Sequence, residues 1–152
     1  MTLVSAVLPS AERRVARISL ACRIYQARLD RARFFRFATF GDSGWDALLA
    51  IYVFGAAGRT LSAGELCLAT SETSATTSLR TQRRFVDLGL IRRIEHPTDR
   101  RRVLIELTEE GRKTLEHYLD HILEHHVAPA NDDGLAEPEL IRELRRAPRN
   151  QG

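Results

Sequence analysis

The chain has 152 residues, a formal charge of +3 and 43% apolar residues, which fits a single domain, 1–152. A chain of this length buries roughly 68–70% of its unfolded surface, so it needs no disulfides to fold. No apolar run approaches the ~20 residues of a membrane span. The N-terminus is a poor secretory signal, and Cys22 and Cys67 lack metal-like or disulfide-framework spacing. We therefore expect a cytoplasmic protein without a cofactor.

Two helices are predicted first. One runs from Ser10, its cap, to about Phe37 and is rich in arginine. The next begins at Ser43 and is apolar nearly all round, which is typical of a central, buried helix. It ends at the glycines of residues 55–58.

A helix-turn-helix is predicted in the centre of the chain. Residues 60–61 can form a short strand, and Ser62 with Glu65 forms a capping box that begins a short helix. After a polar turn, another helix begins near Thr73 and is ended by Gly89. Two short helices separated by a tight turn are the helix-turn-helix pattern.

The helix that begins near Thr73 has two contrasting faces at about 100° per residue. The face expected to meet the core carries Ala75, Ser78, Leu79, Gln82, Phe85 and Val86. The opposite face carries Thr73, Thr76, Thr77, Arg80 and Arg84. Arginine can bridge guanine in the major groove, and threonine can bond a phosphate or place its methyl group against thymine. Alternatively, this face is only the solvated side of an amphipathic helix.

A β-hairpin with an arginine-rich tip is predicted directly behind that helix. Its turn contains Asp99, Arg100, Arg101 and Arg102, and Thr108 then caps a further, acidic helix. A solvated helix face does not explain an arginine-tipped hairpin behind a helix-turn-helix. The combination therefore favours DNA binding.

Three segments, 88–93, 96–102 and 107–111, resemble the winged helix-turn-helix of the MarR family of transcriptional regulators. The resemblance covers about half of the chain, from Trp45 to Leu119. It implies that Thr73 to Leu88 is the recognition helix and that the predicted hairpin is the wing. Arg100 or Arg101 at the tip of the wing would then enter the minor groove, and Asp99 would form an ion pair with a wing arginine. It also implies a homodimer that recognises a pseudo-palindrome.

The predicted architecture is mainly α-helical with a small β-hairpin. A winged helix-turn-helix, 43–108, lies between an N-terminal dimerisation helix, 10–38, and C-terminal dimerisation helices, 109–146. Charge supports the dimer independently, because the N-terminal helix is basic, the helix after Thr108 is acidic, and each carries an apolar stripe. Alternatively, both stripes fold back on their own subunit.

Three features suggest sensing sites, and each has a simpler interpretation. His117 and His121 lie one turn apart, but their predicted position on the solvent side makes solvated histidines a better interpretation than a metal site. Cys22 is a candidate redox residue, although a lone cysteine on an apolar stripe is more often packed in a core. The aromatic residues that could line a pocket for a small phenolic or anionic effector, or could simply pack, are Tyr25, Trp45 and Tyr52.

The sequence therefore predicts a DNA-binding transcriptional regulator. It would be a homodimeric repressor that binds double-stranded DNA and is modulated by a small ligand or a redox signal. The alternative is a winged-helix module whose arginine-rich face binds an acidic protein partner. No Ser/His/Asp set, phosphate-binding loop or carboxylate pair in a pocket context supports an enzyme.

Overall fold

The computed structural model describes residues 41–70, 74–125 and 139–148, together with residues 18, 21, 25, 27, 30, 31 and 33–35. Its elements are α1 (Asp42–Ala56), β1 (Leu61–Ser62), α2 (Ala63–Leu68), α3 (Ala75–Asp87), β2 (Ile91–Glu95), β3 (Val103–Leu107), α4 (Glu109–His125) and α5 (Glu139–Arg146). The described residues between 18 and 34 are also helical, and together with Phe35 we call them the N-terminal segment. Its predicted cap, Ser10, lies outside the described residues. Among the described helices, none combines the length and apolarity needed to cross a bilayer.

α1 passes through the centre of the domain, as its apolar pattern predicts, and buries Leu48 and Ile51. It begins at Asp42 rather than at the predicted Ser43. Gly41 occupies the N-cap position, and Asp42 places a carboxylate in the first turn, where the helix dipole favours a negative charge. Gly58 follows the end of the helix with a φ of 72°, a conformation that residues with a Cβ atom rarely adopt.

The strands form one antiparallel sheet in the order β1-β3-β2. The hairpin of β2 and β3 was predicted, with Ile91 opposite Leu107 in its register. The short strand predicted at residues 60–61 lies one residue later, at Leu61–Ser62, where Leu61 pairs with Ile105. Both Leu61 and Ile105 are buried, so this register places apolar side chains towards the core.

The capping box at the start of α2 has the predicted geometry. The Ser62 Oγ atom accepts a hydrogen bond from the Glu65 backbone nitrogen at 3.2 Å, and a Glu65 carboxylate oxygen accepts one from the Ser62 nitrogen at 2.7 Å. Two backbone donors that a helix start leaves unpaired are thereby satisfied, which stabilises this six-residue helix. Cys67, within this helix, is partly buried.

A tight junction joins the end of α3 to the beginning of α4. Gly89 ends α3 with a φ of 69°, and the nitrogens of Gly89 and Leu90 donate to the carbonyls of Val86 and Phe85. At the same end of the hairpin, the Thr108 nitrogen donates to the Leu90 carbonyl at 3.0 Å. The Thr108 hydroxyl then accepts from the nitrogen of Gly111 at 2.9 Å, which confirms Thr108 as the cap of α4.

The N-terminal segment packs on the domain through an aromatic cluster. The Trp45 ring lies edge-on to Tyr118 and to Phe35, with centroid distances of 5.1 and 5.8 Å. The Tyr118 hydroxyl donates to the Ala27 carbonyl at 2.9 Å. The domain therefore covers the end of this segment nearest to α1, whereas Tyr25 remains exposed.

Candidate nucleic-acid interface

α3 is held on the domain by a narrow buried strip, which comprises Ser78, Gln82 and Phe85. The Gln82 side-chain nitrogen donates to the Ala63 carbonyl of α2 at 3.2 Å, and Phe85 is fully buried. Because one hydrogen bond and one aromatic ring fix the same side of α3, the helix cannot rotate about its axis without exposing them. The opposite side is therefore presented to solvent in a defined orientation.

The solvent-facing side of α3 carries hydroxyl groups and guanidinium groups. Its exposed residues include four of the predicted contacts, Thr76, Thr77, Arg80 and Arg84, and also Arg83. The helix begins two residues later than predicted, at Ala75, because Ser74 is its cap and accepts from the Thr77 nitrogen at 3.3 Å. No acidic residue lies in its first turn. The predicted contact Thr73 lies outside the described residues.

Half of the residues that the helical projection assigned to the core are instead at the surface. Ala75, Leu79 and Val86 are exposed, the latter two to 38% each. At 100° per residue they lie about 50–90° from the centre of the buried strip, beyond the reach of α2 and β2. The prediction that these three residues face the core was therefore wrong.

The tip of the hairpin is an ordered turn that displays two arginines. The Nδ1 atom of His96 accepts from the backbone nitrogens of Thr98 and Asp99 at 3.3 and 3.1 Å. The Asp99 carboxylate accepts from the backbone nitrogen of Arg101 at 3.0 Å. Arg100 and Arg101 are both exposed, and neither has an ion-pair partner among the described residues. The turn thus holds two guanidinium groups ready for an external anion.

Asp99 does not form the ion pair with a wing arginine that the resemblance implies. Its carboxylate accepts from the backbone of the turn, and within the described ranges no arginine pairs with it. Arg102 is instead directed inwards, where its Nη2 atom lies 3.3 Å from the Glu65 carboxylate. Arg102 therefore connects the wing to the beginning of α2.

Glu65 is the centre of this connection. Burial opposes its ionisation, but the hydrogen bonds from Ser62 and the charges of Arg102 and Arg59 outweigh burial, so the pKa of Glu65 lies below its usual value. A carboxylate with a lowered pKa stabilises the folded state above the pKa of the unfolded chain. This contribution is lost as the pH falls through the folded-state pKa.

We expect the substitution Glu65→Gln to lower the free energy of unfolding by about 0.5–1 kcal/mol at pH 7, since glutamine retains the capping geometry but not the charge. The difference should shrink as the pH falls through the lowered pKa of Glu65, because the wild-type carboxyl then becomes protonated as well. Urea unfolding over a descending series of pH values measures it. Glu95→Gln is the control, because Glu95 is exposed and has no ion pair within the described part of the chain. A difference that does not depend on pH would contradict the assignment.

Neither a protein-family model nor a curated protein matches the sequence, but several solved structures resemble it. A MarR family transcriptional regulator from Silicibacter pomeroyi has a TM-score of 0.54 and 20% identity over 88% of this chain and 89% of its own. MepR of S. aureus, in a complex with DNA, has a TM-score of 0.55 and 21% identity over 72% and 82%. NadR in complex with 4-hydroxyphenylacetate has a TM-score of 0.52 and 23% identity over 82% and 80%.

The chain has the MarR fold. At these identities the likeness concerns the fold, and it confirms the predicted winged helix-turn-helix: α2 and α3 are the two helices of the motif, and β2 and β3 form the wing. In this fold the exposed side of α3 and the tip of the wing belong to one compact unit.

A groove of about 630 Å³ lies on the MarR fold between α1, β3 and the first turns of α4. Its lining includes Ile51, Tyr52, Arg59, Ile105, Arg112 and Glu116. Burial, and after it the charges of Glu116 and Asp120, raise the pKa of the Tyr52 hydroxyl, which keeps that group a neutral donor. Of the three aromatic residues predicted to share a pocket, only Tyr52 lines this groove. Trp45 lies in the aromatic cluster, and Tyr25 is exposed.

The histidines of α4 differ from each other in their surroundings. His117 is exposed, as predicted, but His121 is not on the solvent side. Its Nε2 atom lies 2.8 Å from the Asp30 carboxylate of the N-terminal segment, and its ring stacks on His125 at 4.3 Å. Among the described residues, no three side chains of His, Cys, Asp or Glu converge as metal ligands. The candidate redox residue Cys22 lies outside the described residues.

Proposed function

We propose that the protein is a sequence-specific DNA-binding regulator of the MarR family, a homodimeric repressor that acts in the cytoplasm on a pseudo-palindromic operator. The observation that carries the proposal is the placement of Arg80 and its neighbours on α3 and of Arg100 and Arg101 on the wing, all exposed on one winged helix-turn-helix. Arginines on a helix suited to the major groove can recognise bases, and arginines at a wing tip can bind phosphate or enter the minor groove.

Local electrostatics support DNA over a neutral partner. The first turn of α3 lacks acidic residues, so the partial positive charge of the helix N-terminus is not neutralised within that turn. The hydroxyl groups of Thr76 and Thr77 lie at the same end and are suited to phosphate. This end of the helix is therefore attractive to a polyanion.

Exposed apolar side chains on the flanking helices support a homodimer. Ile18 and Tyr25 of the N-terminal segment are exposed to 55% and 64%, and Leu123 near the end of α4 to 62%. A second copy would bury these side chains at an isologous interface. Two copies of α3 would then enter successive major grooves about 34 Å apart, which matches a pseudo-palindromic site.

The groove beside Tyr52 supports control by a small ligand. Its lining includes the apolar residues Ile51 and Ile105, and Tyr52 and Arg59 can bond an oxygen-bearing group. The complex of NadR with 4-hydroxyphenylacetate is a precedent within this fold for a small phenolic acid as ligand. We therefore propose that a compound of this class modulates DNA binding.

Selection of bound sites from a random duplex library, followed by a salt titration on the recovered site, tests the proposed function. Recovery of an inverted repeat with a steep salt dependence is the expected result. If the protein instead fails to bind duplex DNA or heparin at about 50 mM salt, the alternative is favoured, in which the arginine-rich face binds an acidic protein.

We expect Arg80→Ala to reduce discrimination at one base position per half-site by ~1–3 kcal/mol and to leave binding to random DNA nearly unchanged. The reason is that a guanidinium group can form two hydrogen bonds with guanine that no other base offers. Competition binding against single-base variants of the operator measures the effect. Arg142→Ala, an equal change of charge on α5, should alter neither quantity. A uniform loss on every sequence would assign Arg80 to a phosphate.

A further inference from the structure

We infer that Leu79 is a specificity-determining residue that recognises thymine through its C5 methyl group, with Ala75 beside it. The inference rests on the proposed function, because it concerns how α3 recognises bases. It starts from Leu79 and Ala75, two apolar residues of α3 that the helical projection placed in the core and that the structure exposes.

The exposure of Leu79 has no explanation within the domain. Its side chain is neither part of the buried core nor among the partly buried apolar residues packed against that core. Ala75 lies one turn before Leu79 on the same flank and is also exposed. Together they form a small apolar surface at the N-terminal end of α3.

The surroundings of this apolar surface identify its partner. Thr76 and Arg80 adjoin it, and Arg83 lies one turn beyond Leu79 on the same flank, so the surface is bordered by hydroxyl and guanidinium groups. Such a border suits a polyanion better than an apolar protein surface. In the DNA major groove the only apolar group at the base edges is the thymine methyl group, which alanine and other apolar side chains contact.

The position of Leu79 along α3 distinguishes it from Val86, which is equally exposed at 38%. Leu79 is the fifth residue of the helix, whereas Val86 lies next to its last residue. The N-terminal part of a recognition helix reaches the base edges, while its later turns move away from them. Leu79 is thus placed at the bases, and Val86 is a matched control of the same exposure.

Replacement of thymine by deoxyuridine in the selected operator duplex tests the inference, since it removes only the methyl group. For the wild-type protein we expect one thymine per half-site at which this change weakens binding about fourfold, the factor that corresponds to burial of one methyl group. Changing both half-sites should weaken binding about fifteenfold. Leu79→Ala should show a smaller difference between the thymine and uracil operators than the wild-type protein, and Val86→Ala should retain the wild-type preference.

Two results would overturn the inference alone: tight operator binding by the wild-type protein with no effect of uracil at any position, or an undiminished uracil effect in Leu79→Ala. A Leu79→Ala protein that dissociates into monomers, measured by sedimentation, would also overturn it, because Leu79 would then contact a second copy. Failure of the wild-type protein to bind any duplex would instead overturn the proposed function, and this inference with it.

Discussion

Replacing both Arg100 and Arg101 by alanine should weaken binding to every duplex, whatever its sequence, and should flatten the salt dependence. Each phosphate contact that is lost makes the slope of log Kobs against log[salt] less steep by about 1, so the double variant should lose about 2. The fold should persist, because Asp99 and His96 hold the turn through its backbone and not through the arginine side chains. Fluorescence anisotropy at several salt concentrations measures both quantities.

The control for this variant is Arg142→Ala with Arg146→Ala, which removes the same charge from exposed positions on α5. Its salt slope should equal that of the wild-type protein if the wing itself meets the phosphates. An unchanged slope in the Arg100 and Arg101 variant would remove the wing from the interface. Equal losses in both double variants would indicate that only net charge matters.

Gly111→Ala should cause the largest loss of stability of any single substitution considered for this chain, more than ~3 kcal/mol. A Cβ atom at Gly111 would lie 2.0 Å from the Leu90 carbonyl oxygen and 2.7 Å from its carbon, and both are backbone atoms that cannot move aside as a flexible side chain can. Relief would require separating α4 from the sheet, with loss of the hydrogen bond from the Thr108 nitrogen to Leu90. Thermal and urea unfolding measure the effect.

Gly64→Ala is the matched control, since Gly64 is also helical but a Cβ atom there would meet nothing within 4 Å. It should stabilise the protein by about 0.5–1 kcal/mol, because alanine loses less backbone entropy than glycine in a helix. Similar losses in both variants would contradict the close approach at Gly111.

Local signals predicted most of the fold because each element carries its own start and stop. The Ser62–Glu65 capping box, the positive φ of Gly89 and the Thr108 cap depend on residues within a few positions of one another. Boundaries shifted by one or two residues where two caps competed, as when Ser74 rather than Thr73 came to precede α3. Such competition depends on small energy differences that the sequence pattern does not display.

The residues whose burial or exposure was predicted wrongly are those whose surroundings depend on tertiary packing. The helical projection treated every apolar residue of α3 as core, but the elements beneath the helix cover only a narrow strip, which leaves Leu79 outside it. His121 was assigned to solvent because nothing in its own helix indicated that Asp30, 91 residues away, would meet it. The exposure of Arg80, Arg100 and Arg101 was predictable, since charged side chains rarely enter a core.

The close contact at Gly111 has a mechanical consequence. α4 has 17 residues and is therefore about 25 Å long, so a rotation of about 5° at its first turn moves its far end by about 2 Å. Because the backbone of α4 at Gly111 is in close contact with the backbone of Leu90, α4 and the wing must rotate together. Arg112 and Glu116, near the start of α4 and close to this contact, line the groove beside Tyr52. With the far end of α4 held in a dimer of the proposed kind, the same rotation would displace the near end of α4 by about 2 Å, and α3 and the wing with it.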